Sequence, residues 1–156
     1  MQAVEVLCRT ATKDDVETLY QLIQGYAEKG IMLPRTRETL TYMIDTFVVA
    51  EIGNEVVGCG SNMRLGDNLI EIRSLGINDG YKSLGIGSRL VDKLLEQAKA
   101  QGVTKVMALT YAVSFFERNG FKVVEKEIFP EKVWRDCVNC PKQHACDEIA
   151  VLRELD

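Results

Sequence analysis

The segment Asn78-Asp79-Gly80-Tyr81-Lys82-Ser83-Leu84-Gly85-Ile86-Gly87 constrains this chain more than any other. It follows an apolar, strand-like run, Leu69 to Ile77. It opens a stretch in which Leu90, Val91, Leu94, Leu95 and Ala98 recur at helical spacing. A helix entered through such a turn presents first-turn N–H groups that have no partner inside the helix and lie at the positive end of its dipole. Glycines at 85 and 87 let a ligand approach the backbone closely, because no β-carbon intervenes. Phosphate or pyrophosphate oxygens suit this arrangement, and Lys82 adds a mobile positive charge. Two familiar phosphate motifs do not fit. Gly87 is followed by Ser88 and Arg89, not the Lys-Ser/Thr of a P-loop. Leu90 stands where a dinucleotide fold needs its third glycine, and no early βαβ unit carries it. Alone, the turn is equally compatible with a tight connection that binds nothing.

Around this turn the chain reads as one α/β unit. Val4 to Cys8 forms a short strand, and Thr12 with Asp15 makes a capping box ahead of a helix whose apolar face is Val16, Leu19, Ile23 and Tyr26. Gly30 and Pro34 break it, leaving a loop over 30–35, and a second helix starts from Thr36 with Leu40, Met43, Ile44 and Phe47 inward. Phe47 to Ile52, the turn Gly53-Asn54, Val56 to Met63, the turn Gly66-Asp67-Asn68 and Leu69 to Ile77 make a meander. A helix from Gly87 to Gln101 follows, closed by Gly102. Then come a strand at Lys105–Leu109, a helix over Val113–Asn119 ended by Gly120, and a strand from Phe121 to Ile128. The expected fold is a mixed α/β (α+β) domain on one central sheet, spanning residues 1–156, with 130–148 a Cys-rich tail segment.

Charge and apolar content narrow the class. The chain of 156 residues carries 19 Lys and Arg against 23 Asp and Glu, a net −4, which suits neither nucleic acid nor an anionic membrane as partner. Its apolar runs fall far short of the ~20 residues a membrane span needs, and Met1-Gln2-Ala3-Val4-Glu5 lacks the basic start and apolar core of a signal peptide. A cytoplasmic location is expected, with reduced thiols. Cys8 and Cys59 sit in apolar strand-like runs as small core residues.

The context of the glycine turn makes it specific. Glu71-Ile72-Arg73-Ser74-Leu75-Gly76-Ile77, then Lys82-x-x-Gly85-x-Gly87 and a helix, closely resembles the acetyl-CoA-binding core of the GCN5-related N-acetyltransferases, the GNAT superfamily. Phe115-Phe116-Glu117-Arg118-Asn119-Gly120-Phe121 resembles that family's later aromatic segment. Leu33-Pro34-Arg35, Glu71-Ile72-Arg73-Ser74-Leu75, Leu109-Thr110-Tyr111, Phe115-Phe116 and Lys132-Val133-Trp134-Arg135-Asp136-Cys137 are similar to the short, single-domain bacterial N-acetylglutamate synthases, enzymes of arginine biosynthesis. The resemblance implies a mostly antiparallel sheet splayed between the Leu69–Ile77 and Lys105–Leu109 strands. It implies that Leu75, Gly76 and Ile77 pair with the pantetheine amides of acetyl-CoA. Backbone N–H groups of Lys82, Ser83, Leu84, Gly85, Ile86, Gly87 and Ser88 would hold its diphosphate. Lys82 departs from the family's usual Arg or Gln, keeping the charge but losing the fork geometry.

Acetyl transfer from a thioester to an α-amino group needs a base, an oxyanion donor and a fate for the thiolate. Glu71 aligns with the family's catalytic Glu, and the backbone N–H near Leu75 would meet the oxyanion. Phe116 stands where many relatives have a proton-donating Tyr, so Tyr111, at the end of the preceding strand, is the substitute acid, with solvent as the alternative. Arg73 lies two residues from Glu71, on the same strand face unless a bulge intervenes, where its fork could clamp a substrate carboxylate. Arg35, Lys132 and Trp134 are further substrate-binding candidates. Polyamines, antibiotic amines and protein N-termini are the rival acceptors, and a non-catalytic acyl-CoA-binding or metal-sensing module is the rival from another class. A homodimer is the candidate assembly.

Cys137, Cys140, His144 and Cys146 supply four soft or borderline ligands within ten residues. The first spacing suits zinc, while the gaps to His144 and Cys146 are tighter than structural zinc sites use. Three thiols packing a compact tail is the alternative reading.

Overall fold

The computed structural model describes residues 6–30, 34–81, 84–125 and 149–155. Seven strands and four helices are described: β1 Leu7–Thr10, α1 Val16–Glu28, α2 Arg37–Tyr42, β2 Phe47–Ile52, β3 Glu55–Gly66, β4 Leu69–Ile77, α3 Ile86–Ala100, β5 Lys105–Thr110, α4 Val113–Arg118, β6 Lys122–Val124 and β7 Ile149–Glu154. The strands form one mixed sheet in the order β1-β2-β3-β4-β5-β7-β6, with helices flanking it. β4 and β5 run parallel over Leu69–Glu71 and Lys105–Met107, and β1·β2, β2·β3, β5·β7 and β6·β7 are antiparallel. The expected α/β architecture is what the chain adopts. Residue packing divides it into two compact units, 1–62 with 72–97, and 63–71 with 98–156.

In the first unit the order of elements follows from local chemistry. Arg9 donates to both carboxylate oxygens of Asp15 at 2.8 and 3.0 Å, and Asp15 also accepts from the Thr12 backbone N–H at 2.7 Å. The Arg9 guanidinium holds the Asp15 carboxyl below the usual carboxylate range. A single 3-10 turn at Lys13–Asp15 therefore precedes α1. Thr36 caps α2 by accepting from the Thr39 N–H at 3.0 Å. The reading of one helix running to Phe47 is corrected here: α2 stops at Tyr42, a 3-10 turn covers Ile44–Thr46, and Phe47 begins β2. Phe47 is nonetheless inward, at 1% exposure, packed with Leu19, Ile23, Leu40, Ile44, Val49 and Cys59. Gly53 and Asn54 both take positive φ, 54° and 69°, which a two-residue type I′ hairpin turn requires.

α3 lies against β3 at two glycines. A β-carbon on Gly60 would stand 2.8 Å from Leu94 Cδ1 and 3.0 Å from Leu75 Cδ1; one on Gly58 would stand 3.2 Å from Leu90 Cδ1. Small strand residues thus give Leu90 and Leu94, both fully buried, their seats. The Asn62 side chain donates to the Leu94 carbonyl at 2.9 Å.

In the second unit, Met107 and Ala150 are buried with Leu65, Leu69, Leu109, Val124 and Leu152 against them. Phe116 packs edge-on against Phe115 and Phe121, with centroids 5.2 and 5.1 Å away. Arg153 donates to the Asn119 carbonyl at 2.6 Å, beside Gly120, whose φ of +88° ends α4. β7 was absent from the expected elements. It inserts between β5 and β6, with Lys105↔Glu154 through Thr110↔Ile149 on one side and Lys122↔Leu152 through Val124↔Ala150 on the other.

Candidate active site

In the first unit, β4 ends and α3 begins as the glycine turn requires. The Asn78 N–H donates to the Val57 carbonyl at 2.7 Å, and the Tyr81 N–H donates to the Asn78 carbonyl at 2.9 Å, turning the chain out of the sheet. Backbone groups of successive strand residues point to alternate edges. With Asn78 bonded to β3, the N–H and C=O of Ile77 face the other edge. Gly85 takes φ +77°, and the first helical bond of α3 runs from the Arg89 N–H to the Gly85 carbonyl at 3.3 Å. The N–H groups of Ile86, Gly87 and Ser88 therefore have no acceptor within the helix. No acidic side chain lies in this first turn to compete for them. Ile86 is buried at 2% and fixes the turn from below, while Leu84 and Gly85 are exposed and Gly87 and Ser88 half-buried. Lys82 and Ser83 lie outside the described residues.

Ser74 has φ +54°, a left-handed conformation unusual for a serine in mid-strand. Its carbonyl accepts from the Cys59 thiol at 3.2 Å, and burial pushes that thiol up to about 12. The irregularity falls between Arg73 and Leu75. It stands one residue before Leu75, whose backbone N–H is the expected oxyanion donor. Arg73, Leu75 and Ile77 are half-buried and Gly76 is buried.

Tyr26, from α1, is the residue that sequence reasoning missed here. It belongs to the apolar stripe of that helix, but its ring crosses Gly76, where a β-carbon would meet Cε2 at 2.7 Å. Its hydroxyl donates to the Ile77 carbonyl at 2.8 Å and accepts from the Ile77 N–H at 3.0 Å. The available signal was the polar tip of a tyrosine in a row otherwise aliphatic. Arg35 is half-buried, one residue before the Thr36 cap.

In the second unit, Glu71 is buried at 6% on β4, opposite Met107 of β5. Tyr111 follows the end of β5 and is 43% exposed; the Thr110 hydroxyl next to it accepts from the Ala112 N–H at 2.7 Å. Phe116 is buried at 4% among aromatics, a core role. Lys132, Trp134, Cys137, Cys140, His144 and Cys146 lie outside the described residues. Among the described residues no group of three or more His, Cys, Asp or Glu side chains could hold a metal ion. No described helix is long and apolar enough to cross a membrane.

Comparison with known proteins places the chain in a family. Residues 15–121 match the model of the acetyltransferase (GNAT) family. An uncharacterised N-acetyltransferase of Chlorobaculum tepidum is 41% identical over 99% of this chain and 100% of its own length. The amino-acid acetyltransferase of Mycobacterium tuberculosis is 36% identical over 79% of this chain and 75% of its own. Among solved structures, the N-acetylglutamate synthase of Neisseria gonorrhoeae, complexed with coenzyme A and N-acetyl-glutamate, superimposes with a TM-score of 0.88 at 24% identity; the match covers 99% of this chain and 36% of that one. The chain is a member of the GNAT acetyltransferase family, and its activity is that of an N-acetyltransferase.

Proposed function

We propose that this enzyme transfers the acetyl group of acetyl-CoA to the α-amino group of an amino acid, with glutamate as the leading acceptor. The observation that carries the proposal is the entry of α3: N–H groups at Ile86, Gly87 and Ser88 with no acceptor within the helix, a left-handed Gly85 and no acid in the first turn. Such a helix entry suits the oxygens of a diphosphate. The amino-acid acetyltransferase at 36% identity supports the acceptor class.

In the reaction, Glu71 takes a proton from the acceptor's ammonium, directly or through a water, and the freed nitrogen attacks the thioester carbonyl. The Leu75 N–H steadies the oxyanion that develops. The C–N bond forms, the nitrogen sheds its second proton to solvent, the C–S bond breaks, and the thiolate takes a proton from Tyr111 or from solvent. Arg73, whose fork matches a carboxylate in two bonds, holds the acceptor, with Arg35, Lys132 and Trp134 as further contacts.

The test follows thiol release from acetyl-CoA with each of the twenty amino acids and several polyamines. Glutamate should give the highest kcat/KM. Turnover of polyamines alone would overturn the proposal, because a carboxylate clamp gives a cationic acceptor nothing to bind.

A further inference from the structure

The Ile77 N–H and C=O are the pair of groups that a residue of an adjoining extended chain would exchange in a ladder. Asn78 faces β3 through its 2.7 Å bond to Val57, so Ile77 presents this pair at the opposite edge. The Tyr26 hydroxyl satisfies both groups with one oxygen, donating at 2.8 Å and accepting at 3.0 Å. Its position depends on Gly76, since any β-carbon there would stand 2.7 Å from the ring. A side chain thus occupies a strand-edge position that an amide would otherwise use.

From this geometry, and given the acetyl-CoA reading above, we propose that Tyr26 competes with the cofactor's pantetheine amide for the Ile77 N–H and C=O, and that its departure is a step in cofactor binding. A secondary amide offers the same donor and acceptor on two separated atoms, matched to the spacing of a strand. The hydroxyl must serve both from one atom. The incoming arm therefore replaces the hydroxyl bond for bond, and part of its binding free energy is spent on the exchange. Tyr26 thereby sets the affinity for acetyl-CoA without touching the diphosphate.

The test titrates coenzyme A, and separately adenosine 3′,5′-bisphosphate, into wild type and Tyr26→Phe by calorimetry. The bisphosphate shares the nucleotide end and carries no pantetheine. Phenylalanine keeps the ring over Gly76 and removes the competitor. Coenzyme A should bind the variant about fivefold more tightly, the scale of one or two released hydrogen bonds, while the bisphosphate should bind both proteins equally. Amide exchange at Ile77 should speed up in the unliganded variant. Unchanged or weaker coenzyme A binding by the variant, an equal shift for both ligands, or an Ile77 amide still protected would overturn the inference and make Tyr26 a structural strut. Wild type that binds neither ligand overturns the acetyl-CoA reading itself.

Discussion

Glu71→Gln should lower kcat by roughly 10²–10⁴, the span of general-base catalysis, while coenzyme A affinity stays within about twofold. The side chain is 6% exposed on β4, so the substitution keeps volume and polarity where a truncation would open a hole. Glutamine cannot accept the proton, whereas it retains the size and polarity of the side chain opposite Met107 in the ladder. The variant's residual rate should climb with pH as bulk water deprotonates the acceptor, well beyond where the wild-type rate levels off. A merely structural Glu71 would give a lower melting temperature with an unshifted pH profile. An unchanged kcat would remove the residue from the mechanism.

The second large effect is on stability. Leu94→Ala should cost about 3–5 kcal/mol, because a fully buried leucine leaves a cavity that its neighbours fill only in part. The site has little room to collapse: Leu94 Cδ1 reaches over Gly60, and the Leu94 carbonyl is tied to Asn62. Against a typical total of about 5–15 kcal/mol this is a large fraction, and the melting temperature should fall by on the order of 10 °C. Because α3 carries the N–H groups at Ile86, Gly87 and Ser88, the loss should be partly reversible by ligand. Coenzyme A at about 100 times its Kd should return about 2.7 kcal/mol. A thermal shift below 3 °C in the ligand-free variant would contradict the packing described for α3.

Much of this was legible from residue spacing because the determinants are local. Gly53-Asn54 dictates its hairpin, Thr12 with Asp15 marks the entry to α1, and the Leu90-Leu94 stripe places α3 to within a residue of its start. What escaped depends on contacts distant in sequence. β7 is a six-residue strand with only four apolar residues, and its pairing with β5 and β6 joins positions up to 49 apart in sequence, Lys105 with Glu154. Phe47 satisfied both a helical stripe and a strand, and the chain resolved it as strand because Ser61 of β3 pairs with it. Tyr26 read as core since hydrophobic periodicity registers the ring and ignores the hydroxyl. The left-handed Ser74 has no signal in residue type, as glycine would be the ordinary choice there.

Titration of coenzyme A into the wild-type protein reads out the diphosphate site at the entry of α3. Binding should be saturable at one molecule per chain and weakened by Gly87→Asp, which sets a carboxylate in the first turn of α3 where the diphosphate would lie. No measurable heat at millimolar coenzyme A, or binding indifferent to that substitution, would contradict it.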